Sequence, residues 1–187
     1  MDADGVRRWL GDIPPLKPGF NDLTGGLTGK DARRFAKAAE RFRDRHAQCD
    51  FHWVHARVEP GIPPRIHAFH FFNHGRLCSP ARSGGSNRDA LLVTDAGTAS
   101  AVLVVGYGIE PFLLPGELER TVATATPALQ EGDFGGAAET IVRAWEKLLD
   151  RVLDRLPRTF GLPSPGEIPV KLDESVRAAE RRQPSEY

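Results

Sequence analysis

No apolar run in this chain is longer than a strand, so nothing in it is read as a helix that crosses a bilayer. Net charge is missing too. Twenty-five basic residues stand against twenty-five acidic ones, which leaves no field to draw the protein onto nucleic acid or an anionic membrane. No nucleic-acid partner is expected. Cysteine is scarce: Cys49 and Cys78 could make one disulfide but no framework, and neither lies in a CxxC, so reduced thiols are expected. The opening stretch, MDADGVRRWLGDIPPLKPG, lacks the apolar centre of a secretory signal. As written the chain is expected in the cytoplasm, or in a periplasm or lumen where a signal has been removed. Several catalytic signatures are absent as well: there is no P-loop, and Cys78 has no arginine six residues on. Gly106-x-Gly108 is no dinucleotide fingerprint, because Pro111 stands where the third glycine would be.

What is present centres on Asp89–Glu110, DALLVTDAGTASAVLVVGYGIE. Two β-branched runs, Ala90–Thr94 and Ser100–Val105, flank the small turn Asp95–Thr98, which predicts a β-hairpin. The second run is apolar on both faces and is expected as a central strand covered on both sides. It breaks into Gly106-Tyr107-Gly108-Ile109-Glu110, where two glycines allow a sharp turn or a close approach.

Taken in order, residues 1–19 form a Pro/Gly-punctuated arm carrying Trp9-Leu10. Phe20–Leu23 leads into a glycine-rich turn, and Thr28 with Asp31 opens an amphipathic helix of about five turns. Phe35, Ala38, Ala39 and Phe42 lie on one side of it; Arg33, Arg34, Lys37, Arg41 and Arg45 line the other, a stripe expected to face solvent. Phe51–Val58 reads as a strand, and Ile66–Asn73 as a short helix stopped by Gly75. On that helix Ala68, Phe69 and Phe72 share one face and His67, His70 and His74 another. Three imidazoles on one face are a transition-metal pattern, but a structural or solvent-facing stripe is the preferred reading. His52 and His55, three apart in a strand, point to opposite faces and cannot join a single site. Arg76, Arg82 and Arg88 surround the Gly84-Gly85 loop, an anion-binding composition read by default as solvated surface. Helices are expected from Pro115 to Thr124, over Ala128–Glu131, and from Ala137 to just before Pro157, where the charged tail 157–187 begins.

Helices packed over a small sheet make this an α/β domain. The GYGIE ending of Asp89–Glu110, the stretch PALQEGDFGG over Pro127–Gly136, and the helix following FNDLTGGLT together resemble the TPM domain. That family is named for a thylakoid lumen protein, a photosystem II repair protein and a nematode receptor modulator. The resemblance covers roughly residues 20–150, within a domain expected over 20–156. It implies an α/β/α sandwich with a small mixed central sheet that includes the hairpin. It also implies one of two roles: an acid phosphatase or calcium binder, or a factor in membrane-protein repair or assembly.

Two chemistries follow from the residues. A hard cation, calcium or magnesium, needs several oxygen ligands, and the acidic or amide candidates at strand ends are Asp22, Asn87, Asp89, Asp95, Glu110 and Asp133. A divalent-cation-dependent phosphatase acting on phosphomonoesters would use Asp89 and Glu110 on the cation, with Arg88 or Arg82 on the phosphate. No nucleophile is evident in the spacing. The preferred reading is a non-catalytic interaction module, with a cation as an optional ligand. It would offer Tyr107, Phe112 and Leu113 to a protein partner not identifiable from the chain.

Overall fold

The computed structural model describes residues 13–77 and 88–160, with main chain alone for 157–160. Four strands form one mixed sheet in the order β1 (Phe20–Asp22), β2 (Phe51–Ala56), β3 (Ala90–Asp95), β4 (Ser100–Val105). The first three are parallel; β3 and β4 make the antiparallel hairpin, with Leu92 opposite Leu103. The helices are α1 (Gly29–Arg45), α2 (Pro64–His74), α3 (Glu117–Ala123), α4 (Thr126–Gln130) and α5 (Phe134–Phe160), with a 3-10 turn at Glu110–Phe112. This is an α/β sandwich. The described residues up to Asp150 belong to one compact unit, and those from Arg151 on to a second. Among the described residues no helix is long and apolar enough to cross a membrane.

Strand alternation sorts the core into two layers. Val54, Ala56, Leu91, Val93 and Val104 face one way and pack with Ala68 and Phe71 of α2 and with Leu16 and Leu77. Ile13, in the stretch expected as an N-terminal arm that docks locally, packs against the same cluster. On the opposite face the rings of Phe51 and Trp53 meet Phe35 of α1 at 6.2 and 5.4 Å. The two parallel crossovers thus carry their helices on opposite faces while the strand order advances in one direction. One of them is therefore left-handed, the rare hand for such a unit.

Several expectations are corrected. The run Ser100–Val105 is an edge strand, not a central one, half-buried over its first three residues. Apolarity on both sides came from helices over both faces, which says nothing about rank in the sheet. Phe20–Asp22, expected only to lead into a turn, is a strand held by its register with Trp53–His55 and by the Trp53 N–H donating to the Gly19 carbonyl at 2.8 Å. Three residues are too few to show a period of two.

The basic stripe of α1 does not simply face solvent. Arg34 pairs with Asp133 and Glu139, and Arg45 with Glu146 and Asp150, so α1 lies against an acidic stripe of α5. On α2 the buried residues are His67, Ala68, His70 and Phe71, so the histidine face and the core face overlap. The final helix starts at Phe134 and runs past Pro157. A proline near a helix end removes only one internal bond.

Candidate functional site

Register decides which residues can meet. Asp22, His55, Thr94 and Asp95 stand at the carboxyl ends of β1, β2 and β3, whereas Asp89 precedes β3 at its amino end. Six residues of strand, roughly 20 Å, separate Asp89 from Asp95. The five cation candidates among the described residues therefore do not gather. Asp133 belongs with the carboxyl end, because the neighbouring Phe134 ring lies 4.5 Å from that of His55. Glu110 belongs with the amino end, where its N–H donates to the Gly106 carbonyl while the Gly106 N–H donates to the Asp89 carbonyl. Asn87 and Arg82 lie outside the described residues, as do Trp9 and Cys78.

At the carboxyl end each carboxylate is engaged in holding the backbone. Asp22 accepts from the N–H groups of Thr24, Gly25 and Leu27 and from the Thr24 hydroxyl, at 2.8–3.0 Å. Burial alone would raise its pKa; the bonds from Leu27, Thr24 and Gly25 outweigh it and hold the carboxyl below its ordinary range. Asp95 behaves alike: burial raises it, and the Thr98 hydroxyl with the Val58 and Gly97 N–H groups brings it lower. Asp133 is lowered chiefly by the Gly136 N–H, against burial and with help from Arg34, which reaches both of its oxygens at 3.0 Å. These are the marks of turns and helix starts fixed by their acids.

Above them lies a polar cluster that the sequence did not announce. The Trp53 indole N–H donates to the Thr94 hydroxyl at 2.8 Å, and the same hydroxyl stands 2.8 Å from His55 Nδ1. Burial pushes the His55 pKa down, against the pull of Asp22, Asp95 and Asp31. Strand alternation across the register of β2 and β3 would have put these three side chains together, had β2 and β3 been known to pair in parallel. At the same end of the sheet an open cleft of about 560 Å³ is lined by Arg57, Glu59, Asp95 and Thr98 with the loop Pro60–Pro64.

At the amino end Asp89 is turned inward. It is fully buried, Oδ1 accepts from the Asp50 N–H at 2.9 Å, and Oδ2 lies 3.6 Å from His52 Nε2. Arg88 hydrogen-bonds Gln48 instead of pointing at a shared site. The chain then folds through Gly106–Leu114. The N–H groups of Ile109 and Glu110 both donate to the Gly106 carbonyl, and the 3-10 turn follows. Among the described glycines at positive φ, neither Gly106 nor Gly108 appears, so the turn does not depend on left-handed backbone. Ile109 is buried and seats the turn; Tyr107 is 73% and Leu114 55% exposed, with Phe112 and Leu113 half-buried between them. Among the described residues no group of three His, Cys, Asp or Glu side chains is placed to hold a metal ion.

No family model matches the chain, and no curated protein matches it in sequence. Solved structures do match in fold. The N-terminal domain of cg2496 protein from Corynebacterium glutamicum is 14% identical with a TM-score of 0.54, covering 74% of this chain and 84% of that one. The N-terminal domain of a P. gingivalis protein is 21% identical with a TM-score of 0.57, over 72% and 83% of the two chains. BA42 protein from the psychrophilic bacterium Bizionia argentinensis is 13% identical with a TM-score of 0.53, over 70% and 86%. At these identities the likeness extends to the fold alone, and the α/β sandwich of this chain is shared with all three.

Proposed function

We propose that this domain is a non-catalytic interaction module whose binding edge is the Gly106–Leu114 turn at the amino end of the sheet. One observation carries the reading: Tyr107 and Leu114 stand out in solvent on a turn pinned by buried Ile109. A large aromatic presented outward on a seated turn offers contact area to a protein partner. Phe112 and Leu113 widen the same apolar edge. The resemblance to TPM domains suggests the setting, the maintenance or assembly of membrane proteins or complexes.

A cation-dependent phosphatase receives less support. It would need Asp89 open to a cation and to substrate, and that carboxylate is buried against Asp50 and His52. Calcium or magnesium would have to bind without the group of acids expected for it.

The test is affinity capture with the wild-type chain beside a Tyr107→Ala/Leu114→Ser double variant of equal melting temperature. A protein retained by the first and lost by the second is the expected result. Equal recovery on both would remove the edge from consideration. Hydrolysis of a generic phosphomonoester that needs added calcium or magnesium and disappears in Asp89→Asn would favour the enzyme instead.

A further inference from the structure

We propose that His70 and His74 form a two-histidine clip for a transition-metal ion of the zinc class, at the end of α2 and apart from the Gly106–Leu114 edge. The two residues are one helical turn apart, the spacing at which neighbouring side chains stack on one face. Their ring centroids are 5.1 Å apart with the planes tilted by 58°. With a metal–nitrogen bond of about 2.0–2.1 Å, each centroid sits roughly 3.2 Å from the ion, and a tetrahedral angle then separates the centroids by roughly 5 Å. The ring centres stand at the separation that one shared ion requires, and binding needs in addition that a nitrogen of each ring turn toward it.

Packing makes the pair half-rigid. His70 is buried beside Ala68 and Phe71 on the core face of α2, whereas His74 is exposed, so one ligand is fixed and the other opens to solvent. Both belong to the closing turns of α2, where the helix dipole places partial negative charge and favours a cation. His67 lies one turn earlier, buried and with no hydrogen-bond partner at Nε2, close enough to His70 for the two rings to influence each other's charge. It is not a third ligand, since no described group of three could hold an ion. Water or a ligand from another molecule completes the coordination, so the ion is exchangeable. Imidazole nitrogen selects copper, nickel and zinc over calcium and magnesium, which demand oxygen. Each ring must be neutral to bind.

The experiment uses the full chain, stripped with chelator and melted at neutral pH with zinc, nickel or calcium chloride. Histidine ring resonances are followed by NMR in parallel. An ion bound by the folded state alone raises the melting temperature by mass action. Zinc and nickel should raise it and calcium should not, with the His70 and His74 resonances moving first. His74→Gln, at an exposed position, should leave the metal-free melting temperature unchanged and weaken zinc binding at least about tenfold. A zinc shift of equal size in His74→Gln would overturn the clip. So would the absence of any shift at millimolar zinc, or ring shifts confined to other histidines.

Discussion

His52 accepts at Nδ1 the backbone N–H of Gly19, 3.0 Å away, across the boundary between β2 and the segment that enters β1. A backbone N–H can only donate, so Nδ1 carries the lone pair and the neutral ring keeps its proton on Nε2. That proton faces Asp89 Oδ2 at 3.6 Å, while Asp89 Oδ1 takes the Asp50 N–H. Three neighbouring strands are thus tied at their amino ends by one imidazole and one carboxylate. Both residue types are favourites for catalysis, and here both are occupied with architecture.

Asp89→Ala should therefore behave as a folding variant. It strands the Asp50 N–H and leaves His52 Nε2 facing an empty space inside the protein, a cost of about 1–3 kcal/mol for a buried unmade bond. Urea denaturation is the measurement: a lower midpoint with an unchanged slope is expected, whereas a midpoint equal to wild type would mean that Asp89 does not tie the strands. Asp89→Asn keeps an acceptor for Asp50 and should lose less.

Acid should loosen the domain well before its carboxylates titrate. Burial pushes the pKa of both His55 and His67 below the ordinary 6.5, the latter with His70 adding to the effect. In the unfolded chain these rings take up protons as the pH falls through about 6.5; in the folded chain they do so only lower. The unfolded state therefore binds more protons in that window, and stability falls with pH by at most about 1.4 kcal/mol per unit for each ring. Asp22, Asp95 and Asp133 have the opposite history, depressed in the fold, and their contribution is lost only as the pH drops below the ordinary carboxylate value of 3.8. Melting temperatures between pH 7.5 and 5.0 should decline, and His55→Gln/His67→Gln should flatten the decline. A wild-type profile that stays level to pH 5.0 would contradict the burial argument for both rings.

The sequence made the elements legible and the site illegible, for related reasons. The hairpin, the Thr28–Asp31 capping box and the amphipathic face of α1 are local patterns, and the structure carries all three. The capping box needs only residues three apart. Whether Asp22 meets Asp89 depends instead on strand direction and on order in the sheet, and no periodicity encodes either. Asp22, Asp95 and Asp133 looked like ligands because acids at loop starts serve caps and cations equally well. The pairing of Arg34 with Asp133 and Glu139 spans about a hundred residues of chain, which no local pattern could show. His52 and His55 were placed correctly on opposite faces, since strand alternation is itself local.

Gly135 and Gly136 test the closest approach of two helices. Both stand in the first turn of α5, where alanine would ordinarily be preferred by about 0.8–1.0 kcal/mol over glycine. A Cβ on Gly135 would lie 2.8 Å from the Cα of Asp31, which is main chain of the first turn of α1 and cannot step aside. On Gly136 the obstacles are Arg34 Nη2 and Asp133 Cγ, each at 2.7 Å, the ends of side chains that can rotate away, though at the expense of their ion pair. An overpacked contact costs about 1–3 kcal/mol, more than the helical gain. Gly135→Ala should therefore destabilise the domain despite its better helix propensity, and Gly136→Ala should do so by less. The same denaturation series ranks them: a Gly135→Ala midpoint at or above wild type would show that the start of α1 yields, and that α5 does not owe its position to these glycines.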